Sequence, residues 1–195
     1  MLGPQDHGRK MSLEDFEFAE VEEGRIYELH QGIVIVSDGP EYFHSMQIVV
    51  IRGAILCTCN SYHAVFGAME CKLLIPARES ECHPDITVYS TPPPGKKDRA
   101  LWRTWNPELA IEVVSEGSRD RDYVEKREEY WELGVKEYWI VDAKLAQVLA
   151  LRRGRSDWIE RALGPTDAIE SKLLPGFKLP CKDIFDAARD PDETP

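Results

Sequence analysis

The run Leu109-Ala110-Ile111-Glu112-Val113-Val114 sets an acid among apolar neighbours. Its pattern predicts a short strand buried on both faces. An ionised carboxylate in such a place is costly unless it is paired, hydrogen-bonded or holding a metal ion. A second acid, Asp85, opens the apolar stretch "HPDITVYS" directly after Pro84. Asp at a strand end is commonly just solvated. If neighbouring strands bring Asp85 and Glu112 to one point, the two acids form a site for a hard cation. Mg²⁺ prefers oxygen ligands and keeps several waters. A metal-bound water or hydroxide is the nucleophile that phosphodiester hydrolysis requires.

The segment after Glu112 predicts a helix from about Arg119 to Leu133, stopped by Gly134. At about 100° per residue, Tyr123, Val124, Tyr130, Trp131 and Leu133 gather on one side. Glu125, Glu128, Glu129 and Glu132 gather on the other. Lys126 falls between Tyr130 and Leu133, at the margin of the apolar stripe, from where it can reach the sheet. It would then position a water or stabilise developing negative charge. Arg127 falls on the same side, and its guanidinium suits phosphate or carboxylate pairing better than proton transfer. The competing reading is structural: Lys126 neutralises Glu112, or Asp122 four residues earlier.

The elements around these residues follow from pattern. Residues 1–11 are expected to be disordered. Ser12 caps a helix from about Leu13 to Val21, and "RIYELHQGIVIVS" predicts a hairpin turning at His30-Gln31-Gly32. A helix from His44 to about Cys57 is apolar on most sides and is expected to be covered on most of them. "VFGAMECKLLIPA" and "HPDITVYS" are expected strands, and "TPPPGKKDRALWRTWNPE" is a loop. "ELAIEVVS", the following helix and "EYWIVD" form a βαβ unit with parallel strands. "AQVLALRR" and "WIERAL" pair antiparallel, "KLLPGFKLP" is extended, and "CKDIFDAA" is helical. The fold class is α/β (α+β): a central mixed sheet with one parallel βαβ unit, flanking helices and antiparallel edges. One domain is expected over residues 12–188, with a flexible tail at 189–195.

Composition narrows the partners. The formal net charge is −11, which argues against a nonspecific nucleic-acid binder with a broad basic face. The best candidate for a local basic patch is the loop holding Lys96, Lys97, Arg99 and Arg103 beside Trp102 and Trp105; "RRGRSDW" is a smaller version that reads as a hairpin tip. The larger loop reads either as a solvated loop with aromatic anchors or as a contact for nucleic-acid backbone and bases. The five cysteines suggest free thiols. Cys57, Cys59, Cys71, Cys82 and His83 lack the paired spacing of a zinc site. No apolar run has the roughly 20 residues of a membrane span, and the first residues lack a signal peptide's apolar stretch. A cytoplasmic protein is expected.

"YELHQG", His44, "HPDITVYS", "PELAIEVVS", "DYVEKREEYWELGVKEYWIVD" and "LPGFKL" occur in this order over about residues 12–186. In order and spacing they resemble the Uma-two family, restriction-endonuclease-like proteins of the PD-(D/E)XK nuclease superfamily. The resemblance implies a restriction-endonuclease-like core with Asp85 and Glu112 as metal ligands. It implies Glu28 as a further ligand, directly or through water. The superfamily's usual lysine position is Val114 here; the resemblance assigns that role to Lys126, on the next helix. His44 matches a recurrent family histidine without an assigned role. Two departures stand out: Ile33 replaces an expected acid, and "SEGSRDRD" replaces an expected serine-proline turn. The function expected is a DNA endonuclease using Mg²⁺ or Mn²⁺; a symmetric homodimer is expected if duplex DNA is cut on both strands. The alternatives are a catalytically silent binding module of the same fold, or a nuclease for RNA or structured DNA.

Overall fold

The computed structural model describes residues 1–39, 41–58 and 62–190. The chain opens with α1 (Leu13–Glu17), the hairpin strands β1 (Arg25–His30) and β2 (Ile33–Asp38), and α2 (Tyr42–Thr58). Strands β3 (Ala64–Gly67), β4 (Leu73–Ile75), β5 (Ser80–Cys82), β6 (Ile86–Tyr89) and β7 (Leu109–Val113) follow. After a helical segment containing α3 (Lys126–Glu132) come β8 (Glu137–Asp142), β9 (Gln147–Arg153) and β10 (Trp158–Leu163). The small pair β11 (Ala168–Glu170) and β12 (Lys178–Pro180) leads into α4 (Cys181–Asp186).

Six strands form a mixed sheet in the order β10-β9-β8-β7-β6-β3. The β7–β8 pair is parallel and the others are antiparallel. This is the expected mixed sheet with its βαβ unit. The hairpin belongs to a second, antiparallel sheet, ordered β2-β1-β5-β4. One face of the six-stranded sheet packs Ile111, Val113, Trp139 and Val141 against Ile51 and Ile55 of α2 and Ile184 and Phe185 of α4. The other face packs Ala110, Tyr138 and Ile140 with Tyr130 of α3 and with Leu73, Ile75 and Cys82 of the second sheet. Thus α3 lies between the two sheets and must present inward groups to both.

Several expectations are corrected. Residues 1–11 are pinned rather than free. Leu2 is 2% exposed and packs with Leu13, Phe16 and Leu29. Its backbone N–H donates to Glu20 at 2.7 Å, and Met11 N–H donates to Gly32 at 2.8 Å. Helix α1 ends at Glu17, and Phe18 is exposed. "VFGAMECKLLIPA" is two strands in different sheets, broken at the turn before Cys71. Helix α2 buries Gln47, Ile51 and Ile55 but exposes Val49 and Leu56, so it is covered on one side only. The expected flexible tail lies mostly over residues 191–195, outside the described residues.

Leu2 provides a direct check. Leu2→Ala is expected to remove about 2–5 kcal/mol of stability, read from urea unfolding; a free N-terminal arm would leave the midpoint unchanged.

Candidate active site

The antiparallel register Ile86↔Ile111 leaves Asp85 opposite Glu112, one step beyond the paired residues. Both acids therefore sit where β6 begins and β7 ends. The Val113 N–H donates to Asp85 Oδ2 at 2.7 Å. The His44 Nε2 lies 2.9 Å from the Val113 carbonyl and 3.3 Å from Asp85 Oδ2. Both neighbours are acceptors, so Nε2 carries the proton. Asp85 thus meets a histidine from the first turns of α2.

Glu112 is 3% exposed. Its Oε1 accepts from the Tyr130 hydroxyl and lies 3.0 Å from Lys126 Nζ. The same ammonium is 3.4 Å from Asp122 Oδ1 and 3.7 Å from Glu28 Oε1. One cation therefore meets acids from β7, from the second sheet and from its own helical segment. Glu28 has further donors: Arg121 Nη1 at 2.6 Å on Oε2 and the His83 backbone N–H at 2.9 Å on Oε1.

Charge state follows from these neighbours. Burial pushes the Glu112 carboxyl up to about 8; Lys126 opposes this, while Asp122, Asp85 and Glu28 add to it. One ammonium shared among three acids does not offset full dehydration. Glu28 is equally buried, and burial alone would raise it. Lys126, Arg121 and the His83 N–H outweigh that and hold it at about 2. Burial also raises Asp122, whose Oδ2 accepts from Ser118 Oγ at 2.6 Å. Lys126 is driven well above its ordinary value: burial works against its charge, and Glu112, Glu28 and Asp122 prevail.

A family model described as Uma2, "Putative restriction endonuclease", matches residues 13–182. The chain belongs to the Uma2 family. Its fold is similar to a crystal structure from Anabaena variabilis ATCC 29413, described as "a putative nuclease belonging to DUF820". The TM-score is 0.73 at 16% identity, with 92% of this chain and 99% of that chain covered. The comparison with curated proteins gives no match. Among the described residues, no helix is long and apolar enough to cross a membrane.

In this Uma2 chain, Asp85, Glu112, Lys126, Glu28 and His44 come together, whereas the remaining candidates do not. Arg127 turns outward and pairs with Glu160, because the inward stripe is Asp122, Lys126, Glu129 and Tyr130. Val124 is exposed and Glu129 is fully buried, the reverse of the expected faces. The cause is a π-helical turn at Arg121–Glu125, which shifts the phase that a uniform 100° step assumes. Arg103 pairs with Glu17. Lys96 and Lys97 lie exposed in the 91–108 loop, and the Arg99 side chain falls outside the described residues. Arg121, Tyr130 and Ser118 were not singled out from sequence for the site. Their one sequence trace is helical spacing: Ser118, Asp122, Lys126 and Tyr130 recur every fourth residue.

Two stability predictions arise here. Lys126→Met leaves three buried acids without their shared ammonium and is expected to cost about 3–5 kcal/mol in urea unfolding; a loss within experimental error would show that the pairing is idle. For pH, the folded value of Glu112 lies above its ordinary 4.5. The folded state therefore holds the proton longer, and its stabilisation, full below 4.5, is lost as pH rises through about 8. Unfolding midpoints in EDTA should show Glu112→Gln removing much of that decline, and an identical slope in both proteins would contradict the assignment.

Proposed function

We propose that this Uma2 chain is a divalent-metal-dependent endonuclease that hydrolyses phosphodiester bonds in DNA. The observation that carries the reading is the convergence of Asp85, Glu112 and the buried Lys126 ammonium at one end of the β6–β7 pair. The donors fit Mg²⁺, or Mn²⁺, because they are all oxygen. Asp122 Oδ1 is also buried without a hydrogen bond. Among the described residues, no group of three or more acid, histidine or cysteine side chains could itself hold an ion. On this reading Asp85 and Glu112 are the protein ligands, with waters completing the shell. Glu28, already held by Arg121 and His83, would assist through water. When bound, the ion supplies an activated water and offsets phosphate charge.

The chain's own groups do the rest. Tyr130 fixes the Glu112 carboxyl, and the Val113 N–H fixes Asp85. Lys126 donates to the attacking water and to the oxygen on which negative charge develops. His44 steadies Asp85 from the outer side. Lys97 and Lys96 supply local positive charge for the backbone of the nucleic acid.

A homodimer belongs to this reading. Tyr42, Met46, Val49, Gly53 and Leu56 follow a four-three spacing along α2, and Tyr42, Val49 and Leu56 are exposed. Such a stripe suits self-association, and α2 also carries His44. The second reading, a silent module of the same fold, is favoured by one observation. Glu112 and Glu28 already have internal cation partners in Lys126 and Arg121.

Nicking of supercoiled plasmid with Mg²⁺ or Mn²⁺ separates these readings. Asp85→Asn and Glu112→Gln are expected to be slower by about 100-fold or more, with wild-type-like folding by circular dichroism. Equal behaviour of all three proteins favours the silent module, and cleavage of RNA alone would change the substrate. Sedimentation of Val49→Asp should give a monomer where the wild type is a dimer; a monomeric wild type removes the dimer from the reading.

A further inference from the structure

The loop between β6 and β7 builds a second concave feature. A cavity of about 620 Å³ is lined by His63, Phe66, Pro93, Lys97, Trp102 and Trp105, among others. Much of its wall is aromatic. Trp105 is buried, and its indole N–H donates to the Thr91 carbonyl at 3.1 Å. Trp102 stacks near-parallel to Trp105 at 6.1 Å and 22°. Phe66 meets both tryptophans edge-on, and His63 meets Trp105 edge-on. Lys97 and Asp98 also line it and are exposed; Asp98 Oδ1 accepts from the Ala100 N–H at 3.0 Å, and Lys97 has no ion-pair partner among the described residues.

The placement relates this cavity to the acids. Strand alternation puts Phe66, Tyr89, Asp85 and Glu112 on one face of the six-stranded sheet. Tyr89 packs on Trp105 at 4.1 Å, and Asp85 lies four residues earlier, about 13 Å along the strand. The cavity and the acids thus mark the two ends of β6.

We propose that this aromatic cavity takes one unpaired nucleobase of a nucleic acid whose backbone passes the acids. The inference rests on the nuclease reading above and narrows its substrate to strands with a base free of the duplex stack. Flat rings with an adjacent ammonium suit a base and its phosphate. A paired base cannot enter a recess of this kind without leaving the helix. Stacking also meets a difficulty of this chain. A protein with net charge −11 repels a polyanion, and stacking supplies attraction that salt does not screen, whereas the Lys97 contribution falls with salt.

The test uses wild-type protein in EDTA with a labelled single-stranded oligonucleotide and a blunt duplex of the same sequence. Fluorescence anisotropy gives affinity, and tryptophan emission reports stacking. The single strand should bind more tightly than the duplex and quench emission. Trp102→Ala should weaken single-strand binding about 10- to 100-fold and leave duplex binding within about twofold. Trp102→Phe keeps a stacking ring and should retain most of the affinity, which separates lost stacking from lost folding. Equal affinity for both forms, or a single-strand affinity unchanged in Trp102→Ala, overturns the proposal, as does absence of binding. If plasmid nicking persists while Trp102 proves irrelevant, only the base cavity fails. If Trp102-dependent binding is seen without any nicking, the cavity stands and hydrolysis fails.

Discussion

The Lys126 ammonium is the interaction on which the site is built. It lies within 3.7 Å of acids from β1, from β7 and from its own helical segment. Three buried carboxylates would repel one another across the gap between two sheets. A single buried cation converts that repulsion into a tie between them, provided the remaining lone pairs are hydrogen-bonded. Tyr130, Ser118, Arg121 and the His83 N–H meet most of that requirement. One turn later the device recurs in another form. Glu129, fully buried, accepts from the Cys82 thiol at 3.2 Å and contacts His30 Nδ1 at 2.9 Å. The helix between the sheets is therefore held by polar contacts as much as by apolar packing.

This arrangement gives the acids different characters. Glu28, beside a lysine and an arginine, is a fixed negative charge. Glu112, with only a share of the lysine, lies closer to neutrality. Acids whose surroundings drive them apart in this way are able to take separate chemical tasks. Glu28 suits a permanent counter-ion that keeps Lys126 protonated and in place. Under the proposed function, Glu112 would be the ligand that gives up its proton when a divalent ion arrives.

Much of this was legible in the sequence because β7 forces the question. An acid inside a five-residue buried strand has few physical explanations, and its partner across the sheet is set by the register. The βαβ unit was equally plain from Gly134 and the apolar runs on either side. Other features were hidden for specific reasons. The π-helical turn at Arg121–Glu125 leaves no mark in hydrophobic spacing, so Val124 and Glu129 exchanged faces. Tyr130 reads as core until its hydroxyl is traced to Glu112. Leu2 stands in a largely polar segment, and its burial with Leu13 and Phe16 is a tertiary contact that local pattern does not carry. The split between β3 and β4 depends on which sheet each strand joins, and alternation alone carries no such information.

The proposed chemistry requires Asp85 and Glu112 to receive a divalent ion together while Lys126 remains beside them. Anomalous diffraction from crystals soaked in Mn²⁺ tests this most directly. The predicted result is one strong peak bonded to carboxylate oxygens of both Asp85 and Glu112, with the Lys126 ammonium still next to Glu112. Peaks confined to surface acids, with Asp85 and Glu112 keeping their present partners, would contradict it.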